Sequence, residues 1–384
     1  MTMRAGFHLS TLTVAAVVTA TAAAGVPAAV AAPAAHTARA GAAPAAAPAW
    51  HTVRAGQLTS TADLFDVTTA GPDAAWAVGI QTVDGGATQG VILHWNGTAW
   101  RRQATPGVPA TATWEAVSAA SAHDVWAYGW DQTRETLAHY DGTRWKNVEL
   151  PALPDGQIYG FAELAAVPGT LWVATDSAVA AYSGGTWTST ALPAGTFVSS
   201  VQARSATDAW AVGQTVSGLT SRPVALHWDG HAWQDVSPTG TGLQLTDVYQ
   251  ESARSVWATA VTTATEDTPQ QTRVLHWDGH GWLDATGPRL DLGSSVISGD
   301  GKGTVWVSGD PNGYEGPAVY WRLRHGVWTS VPGDTVPGGV TQSYDVTGLA
   351  PIGSTGRFWS VGSYELIVGE ATSATYELIQ RSPR

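Results

Sequence analysis

The chain has 384 residues, with 31 Asp plus Glu against 19 Lys plus Arg, 20 Trp, 43 Gly, two Met and no Cys. A net charge of −12 argues against a nucleic-acid or polyanion partner, because phosphates attract basic surfaces. Lack of Cys excludes disulfides, thiol nucleophiles and cysteine metal sites, while an apolar content of 44% is enough to bury a core.

Residues 1–31 carry one charge, Arg4, ahead of an uncharged Ala/Val/Thr stretch that ends in Ala29-Val30-Ala31. A basic start, an apolar middle and a small-x-small end have the pattern of a secretory signal peptide. The Ala/Pro-rich residues 32–48 show no periodicity and read as a disordered linker. No second long apolar segment follows, so the mature chain is expected to be soluble and extracellular, without a membrane span, and a monomer.

From residue 49 onward the chain repeats itself. A V-W-A-x-G motif stands at Ala75–Gly79, Val125–Gly129 and Ala209–Gly213, with looser copies around Trp172, Trp257, Trp306 and Trp359. These seven inner Trp lie 50, 46, 38, 47, 49 and 53 residues apart. That period of roughly 48 lies in the range of propeller blades. A second motif, L-H-W-[DN]-G-x-x-W, occurs at Leu93–Trp100, Leu226–Trp233 and Leu275–Trp282, with variants at Ala138–Trp145, Ala181–Trp187 and Tyr320–Trp328. Asn96-Gly97, Asp141-Gly142, Asp229-Gly230 and Asp278-Gly279 predict tight hairpin turns. Each unit therefore reads as four strands, the second carrying the inner Trp and the fourth opening with the outer one. The seventh unit lacks a fourth strand, and Ala49–Val53 matches Ala232–Val236 from one. The expected fold is all-β: a seven-bladed β-propeller of four-stranded antiparallel blades over 49–384, closed by the N-terminal strand in the last blade, which leaves no open edge.

These repeats resemble the Trp-rich propellers common among secreted proteins of GC-rich bacteria, an origin that the two Lys among 19 basic residues also fit. More distantly, the W-D-G turn followed by Trp is similar to seven-bladed bacterial lectins that bind fucose, whose sugar sites lie between blades. It also resembles the Asp-box hairpin of sialidases, although D-G-x-x-W is one residue shorter than D-x-G-x-x-W. The resemblance implies fold rather than activity.

Local catalytic signatures are missing. There is no Cys for a copper-radical crosslink, no F/Y-R-I-P segment, and no H-E-x-x-H or G-x-S-x-G. His94, His139, His227 and His276 share one slot on third strands, where separate blades keep them too far apart for a common ion, so packing beside the Trp is expected. Asp66, Glu163, Asp247 and Asp345 precede the core residue of first strands and are expected at the central channel. There they would either bind Ca²⁺ or line an acidic tunnel. Asp310–Glu315 resembles half a calcium loop, and the Asn96-Gly97-Thr98 sequon coincides with a required turn.

Spacing from inner to outer Trp runs 24, 19, 15, 23, 25 and 22, with the variation concentrated between second and third strands. One face therefore carries short turns and the other carries variable loops, as binding surfaces do. The variable face is expected to present Trp114, Trp130, Asp131, Tyr159, Tyr314, Tyr364 and Glu365, where aromatic rings and carboxylates suit sugars. The sequence points first to an extracellular, non-catalytic module that recognises a glycan or cell-surface ligand. The alternatives are a protein-binding scaffold and, third, an enzyme acting on a polysaccharide or secondary metabolite.

Overall fold

The computed structural model describes residues 49–383 except 59–60, 84, 132–133, 151–161, 176–177, 219, 265–269, 288–291, 293–294, 310–316, 336–341 and 368–372. The signal peptide and linker readings, Tyr159, Tyr314 and the loop at 310–315 lie outside the described residues. Those residues form seven four-stranded antiparallel sheets and no helix. No helix is therefore long and apolar enough to cross a membrane.

Inner strands run Ala62–Gly71, Thr113–Ser121, Glu163–Val167, Thr196–Ser205, Leu243–Ser252, Ser295–Gly299 and Gln342–Pro351, one for each of blades 1 to 7. The ring closes in the last blade. His51–Thr52 pairs with Ser373–Arg381, placing His51 opposite Arg381 and Thr52 opposite Gln380. Val53 N donates to Ile379 O at 2.8 Å, and Trp50 N reaches Pro332 O of blade 6 at 3.0 Å. The Trp50 ring is fully buried, stacked 3.9 Å from Tyr320 and edge-on to Trp306 at 5.2 Å. At the inner seam, Thr347 Oγ1 of blade 7 donates to Leu64 O of blade 1 at 2.7 Å.

Packing between blades sets the inner Trp of one blade in a cluster with the motif Ala of the next, as with Trp172 and Ala211 or Trp359 and Ala77, and adds aromatic contacts. The inner Trp of one blade meets the aromatic pair flanking the third turn of the next. Trp359 contacts Trp95 and Trp100, Trp172 contacts Trp228 and Trp233, and Trp210 contacts Trp277 and Trp282, all with centroids 4.9–5.8 Å apart. Each such ring buries about 150–250 Å², or about 4–6 kcal/mol at about 25 cal/mol/Å², a large share of each blade-to-blade contact.

The fifth motif residue is Gly for a steric reason. Inner strands of blades 1, 2, 4, 5 and 7 carry a bulge opposite this region, at Phe65, Glu115, Ser199, Thr246 and Thr347. The bulge presses the Asp63 carbonyl against Gly79, where a Cβ would stand only 2.0 Å from that oxygen. A bulge also re-aims the side chains that follow it.

Candidate functional site: channel and variable-loop face

Register separates the four channel candidates. Asp66, Glu163 and Asp247 pair with Val78, Ala174 and Thr259, each two residues past the inner Trp of its blade. Asp345 instead pairs with Ser363, four past Trp359; the slot of the other acids, directly after the bulge, is filled in blade 7 by Gly348. The expectation of four equivalent acids is corrected to three.

Two of the three acids clamp neighbouring blades. Asp66 accepts from Val67 N (2.7 Å) and from Val117 N of blade 2 (2.8 Å). Asp247 accepts from Val248 N (2.8 Å), from Ser200 Oγ of blade 4 (2.7 Å) and from Ile297 N of blade 6 (2.8 Å). Thr68, Ser118 and Gln202 likewise accept amides from the following blade. Burial overrides these hydrogen bonds, pushing Asp66 up to about 7 and Asp247 to about 6. Glu163 is raised well above the usual range by burial and by repulsion from Asp66, Asp247 and Glu115.

Glu115, absent from the sequence reading, is a fourth member of this acidic set. It occupies the blade 2 bulge, and burial lifts it to about 6 although Trp130 Nε1 donates to its Oε1. Among the described residues no group of three or more His, Asp or Glu is close enough to hold a metal ion. Asp66 and Asp247 already spend their oxygens on backbone amides and, at Asp247, on the Ser200 hydroxyl.

The four repeated His are packing residues. They stack on the inner Trp of their own blades with centroids 4.0–4.7 Å apart. Asp124 Oδ1 accepts from His139 Nε2 (2.9 Å) and Trp126 Nε1 (2.9 Å), and Asp208 accepts from His227 Nε2 (3.0 Å). In blades 6 and 7 Arg replaces His at this cross-strand position, with Arg322 over Trp306 at 5.5 Å and Arg381 over Trp359 at 5.3 Å. A cation over an indole face is worth about 0.5–2 kcal/mol. The alignment of third strands carries that signal once Arg is allowed beside His.

The two turn types share one face, as spacing predicts. Asn96 Oδ1 accepts from Thr98 N (3.1 Å) and Ala99 N (3.0 Å), so the sequon asparagine holds the turn in shape. The same pattern holds at Asp141, Asp229 and Asp278. Gly142, at φ +89°, packs directly under His123 of the first turn.

On the opposite face the ligand candidates divide. Trp114 is 2% exposed and belongs to the core between blades 1 and 2, so it is no exposed stacking platform. Trp130 is half-buried against blade 3. Asp131 accepts from Arg134 N at 2.9 Å and pairs with its guanidinium at 3.8 Å. Tyr364 is the middle ring of a cross-strand ladder, 5.8 Å from Tyr344 and 5.3 Å from Tyr376. Glu365 is half-buried opposite Ser343 and Thr375. The blade 2 and blade 7 groups have blade 1 between them and form no single site.

A cavity of about 600 Å³ does open on this face, between blades 1 and 2. Its walls are the start of the third strand (Gln89, Gly90, Ile92), Gln103 with the connection that follows it, and one edge of Trp114. The volume falls within the usual range for small-molecule sites, about 300–1,000 Å³. The sequence reading missed it because its polar groups are amides, which carry no motif.

No protein-family model matches the chain, and no curated protein matches it in sequence. Solved structures do match in fold. YCF48 bound to D1 peptide aligns at TM-score 0.55 and 15% identity, over 88% of this chain and 98% of that one. The β-propeller domain of the Trilobed protease from Pyrococcus furiosus, described as having an open velcro topology, aligns at 0.52 and 10%, over 82% and 97%. A xyloglucanase from Xanthomonas campestris aligns at 0.53 and 12%, over 86% of this chain and 55% of the enzyme. At these identities the likeness is one of fold.

Proposed function

We propose that the protein is a secreted, non-catalytic recognition module that binds a glycan in the variable-loop face. The cavity between blades 1 and 2 carries this reading. It combines fixed amides with the apolar surfaces of Val108 and Pro109, over the buried Ile92 and Trp114, a mixture that suits a sugar ring. The repeated histidines pack on Trp, and Asp66 and Asp247 hold blade contacts, so the reading does not rest on acid–base chemistry at these residues. The leader pattern of residues 1–31 supports export. A protein-binding scaffold is the second reading, favoured by the likeness to a propeller solved with a peptide.

A glycan array probed with the folded chain tests the proposal, with Gln89→Ala as the control at the cavity wall. Binding lost or weakened in the variant supports it. Silence across the array refutes glycan recognition and leaves the scaffold.

A further inference from the structure

The cavity wall is asymmetric in its hydrogen-bonding groups. Its backbone acceptors already hold donors: Ile92 O accepts from Gln103 N (2.8 Å), Thr105 O from Val108 N (3.2 Å) and Thr111 O from Gly90 N (3.1 Å). Ala110 O accepts from Arg134 Nη2 at 3.2 Å, which brings a guanidinium to the rim. The Thr111 hydroxyl is turned inward, donating to Thr113 O at 2.9 Å.

The side-chain amides are oriented the opposite way. Gln103 Oε1 accepts from Trp145 Nε1 at 2.8 Å, and an indole N–H only donates, so the Gln103 oxygen is fixed on the protein side. Its NH₂ has no acceptor among the described residues. Gln89 Oε1 similarly accepts from the buried Gln81 Nε2 at 3.2 Å. Gln89 and Gln103 therefore offer an occupant donors, beside Gln57 and the Thr105 hydroxyl, which offer both a donor and an acceptor.

Charge has the same sense. None of the thirteen lining residues is acidic and Arg102 is the one ionisable residue among them, in a chain where acids outnumber bases by 31 to 19. Arg102 is half-buried and makes no ion pair or side-chain hydrogen bond within the described residues. Two oriented amide donors beside an unpaired cation favour an acceptor that carries negative charge.

We propose that this cavity binds a sugar residue bearing a carboxylate, a uronic acid or its equivalent, with the ring against the apolar wall and the carboxylate toward the Gln89 and Gln103 amides and Arg102. This rests on the glycan reading above and narrows it. The occupant's hydroxyls would still find second lone pairs on the wall carbonyls, whereas a neutral sugar would leave the amide donors and Arg102 less well matched.

The test uses calorimetric titration of the full chain with oligogalacturonides and with the same oligosaccharides after reduction of their carboxyl groups. Wild type should bind the acidic form about 10- to 100-fold more tightly than the reduced form, the range expected for hydrogen bonds to a charged group. The preference should weaken as salt is raised. Gln103→Glu keeps an acceptor for Trp145 and turns the cavity donor into a carboxylate, so it should abolish the preference while leaving the melting midpoint near that of wild type. Arg102→Gln should reduce the preference without that repulsion. Equal binding of both forms, or a preference surviving in Gln103→Glu, overturns the carboxylate assignment but keeps glycan recognition. Failure to bind either form, combined with binding of neutral glycans on the array, does the same. Failure against every glycan overturns both, and preference for a peptide carboxyl terminus moves the cavity to the scaffold reading.

Discussion

The channel acids give this fold an uncommon pH dependence. Asp66 rises from 3.8 to about 7 on folding and Asp247 from 3.8 to about 6, so the folded chain holds protons that the unfolded chain releases. Their contribution is therefore complete below the unfolded value of 3.8 and is lost as pH climbs through the folded values. Each unit is worth about 1.4 kcal/mol. Between about pH 5 and pH 8, Asp66 stays protonated over two of the three units, for about 3 kcal/mol, and Asp247 over one, for about 1 kcal/mol. Both side chains keep part of their surface open, and screening brings the sum nearer 2 kcal/mol. Urea midpoints measured across that range should therefore fall with rising pH. Asp66→Asn removes the ionisation but also loses one accepted amide. It should be less stable in absolute terms and have a flatter pH profile. A wild-type midpoint that is constant or rises from pH 5 to pH 8 would refute the reasoning, since desolvation would not then dominate the carboxylates.

Further outcomes follow from the geometry. Trp50→Ala empties a fully enclosed aromatic site between Tyr320 and Trp306 and should cost about 3–5 kcal/mol in chemical unfolding. Deleting residues 49–53 should broaden the same transition, because blade 7 then has an open edge; an unchanged, equally cooperative transition would contradict closure. Gly142→Ala places a Cβ 2.3 Å from His123 Nδ1 at φ +89° and should cost about 1–3 kcal/mol in a thermal melt, whereas alanine at the open Gly107 turn should cost only the strain of its positive φ. Addition of chelator and then of calcium should leave the melting midpoint unchanged, given the amide-bound state of Asp66 and Asp247; a rise with calcium would restore the channel to the list of cation sites.

Much of this architecture is local and therefore legible in one dimension. A blade is one supersecondary unit, so its period, its Asp-Gly or Asn-Gly turn and its alternating Trp and Ala recur wherever the unit recurs. The missing fourth strand at one end and the spare Trp50 strand at the other are a matter of counting. The stacking role of His94, His139, His227 and His276 likewise follows from a repeated cross-strand position.

The remainder depends on how blades meet, which no single repeat encodes. Pairing register puts Gly348, not Asp345, after the blade 7 bulge in the slot that Asp66 and Asp247 fill, and the blade 2 bulge itself carries Glu115, which joins the acidic set. Trp114 is buried because the connection preceding it and blade 1 close over it, so its chemical type did not distinguish core from ligand platform. The Gln103 amide points as it does because Trp145, 42 residues away on the next blade, holds its oxygen. Fold follows from short-range periodicity, while the direction of a hydrogen-bonding group depends on a neighbour that only packing brings near.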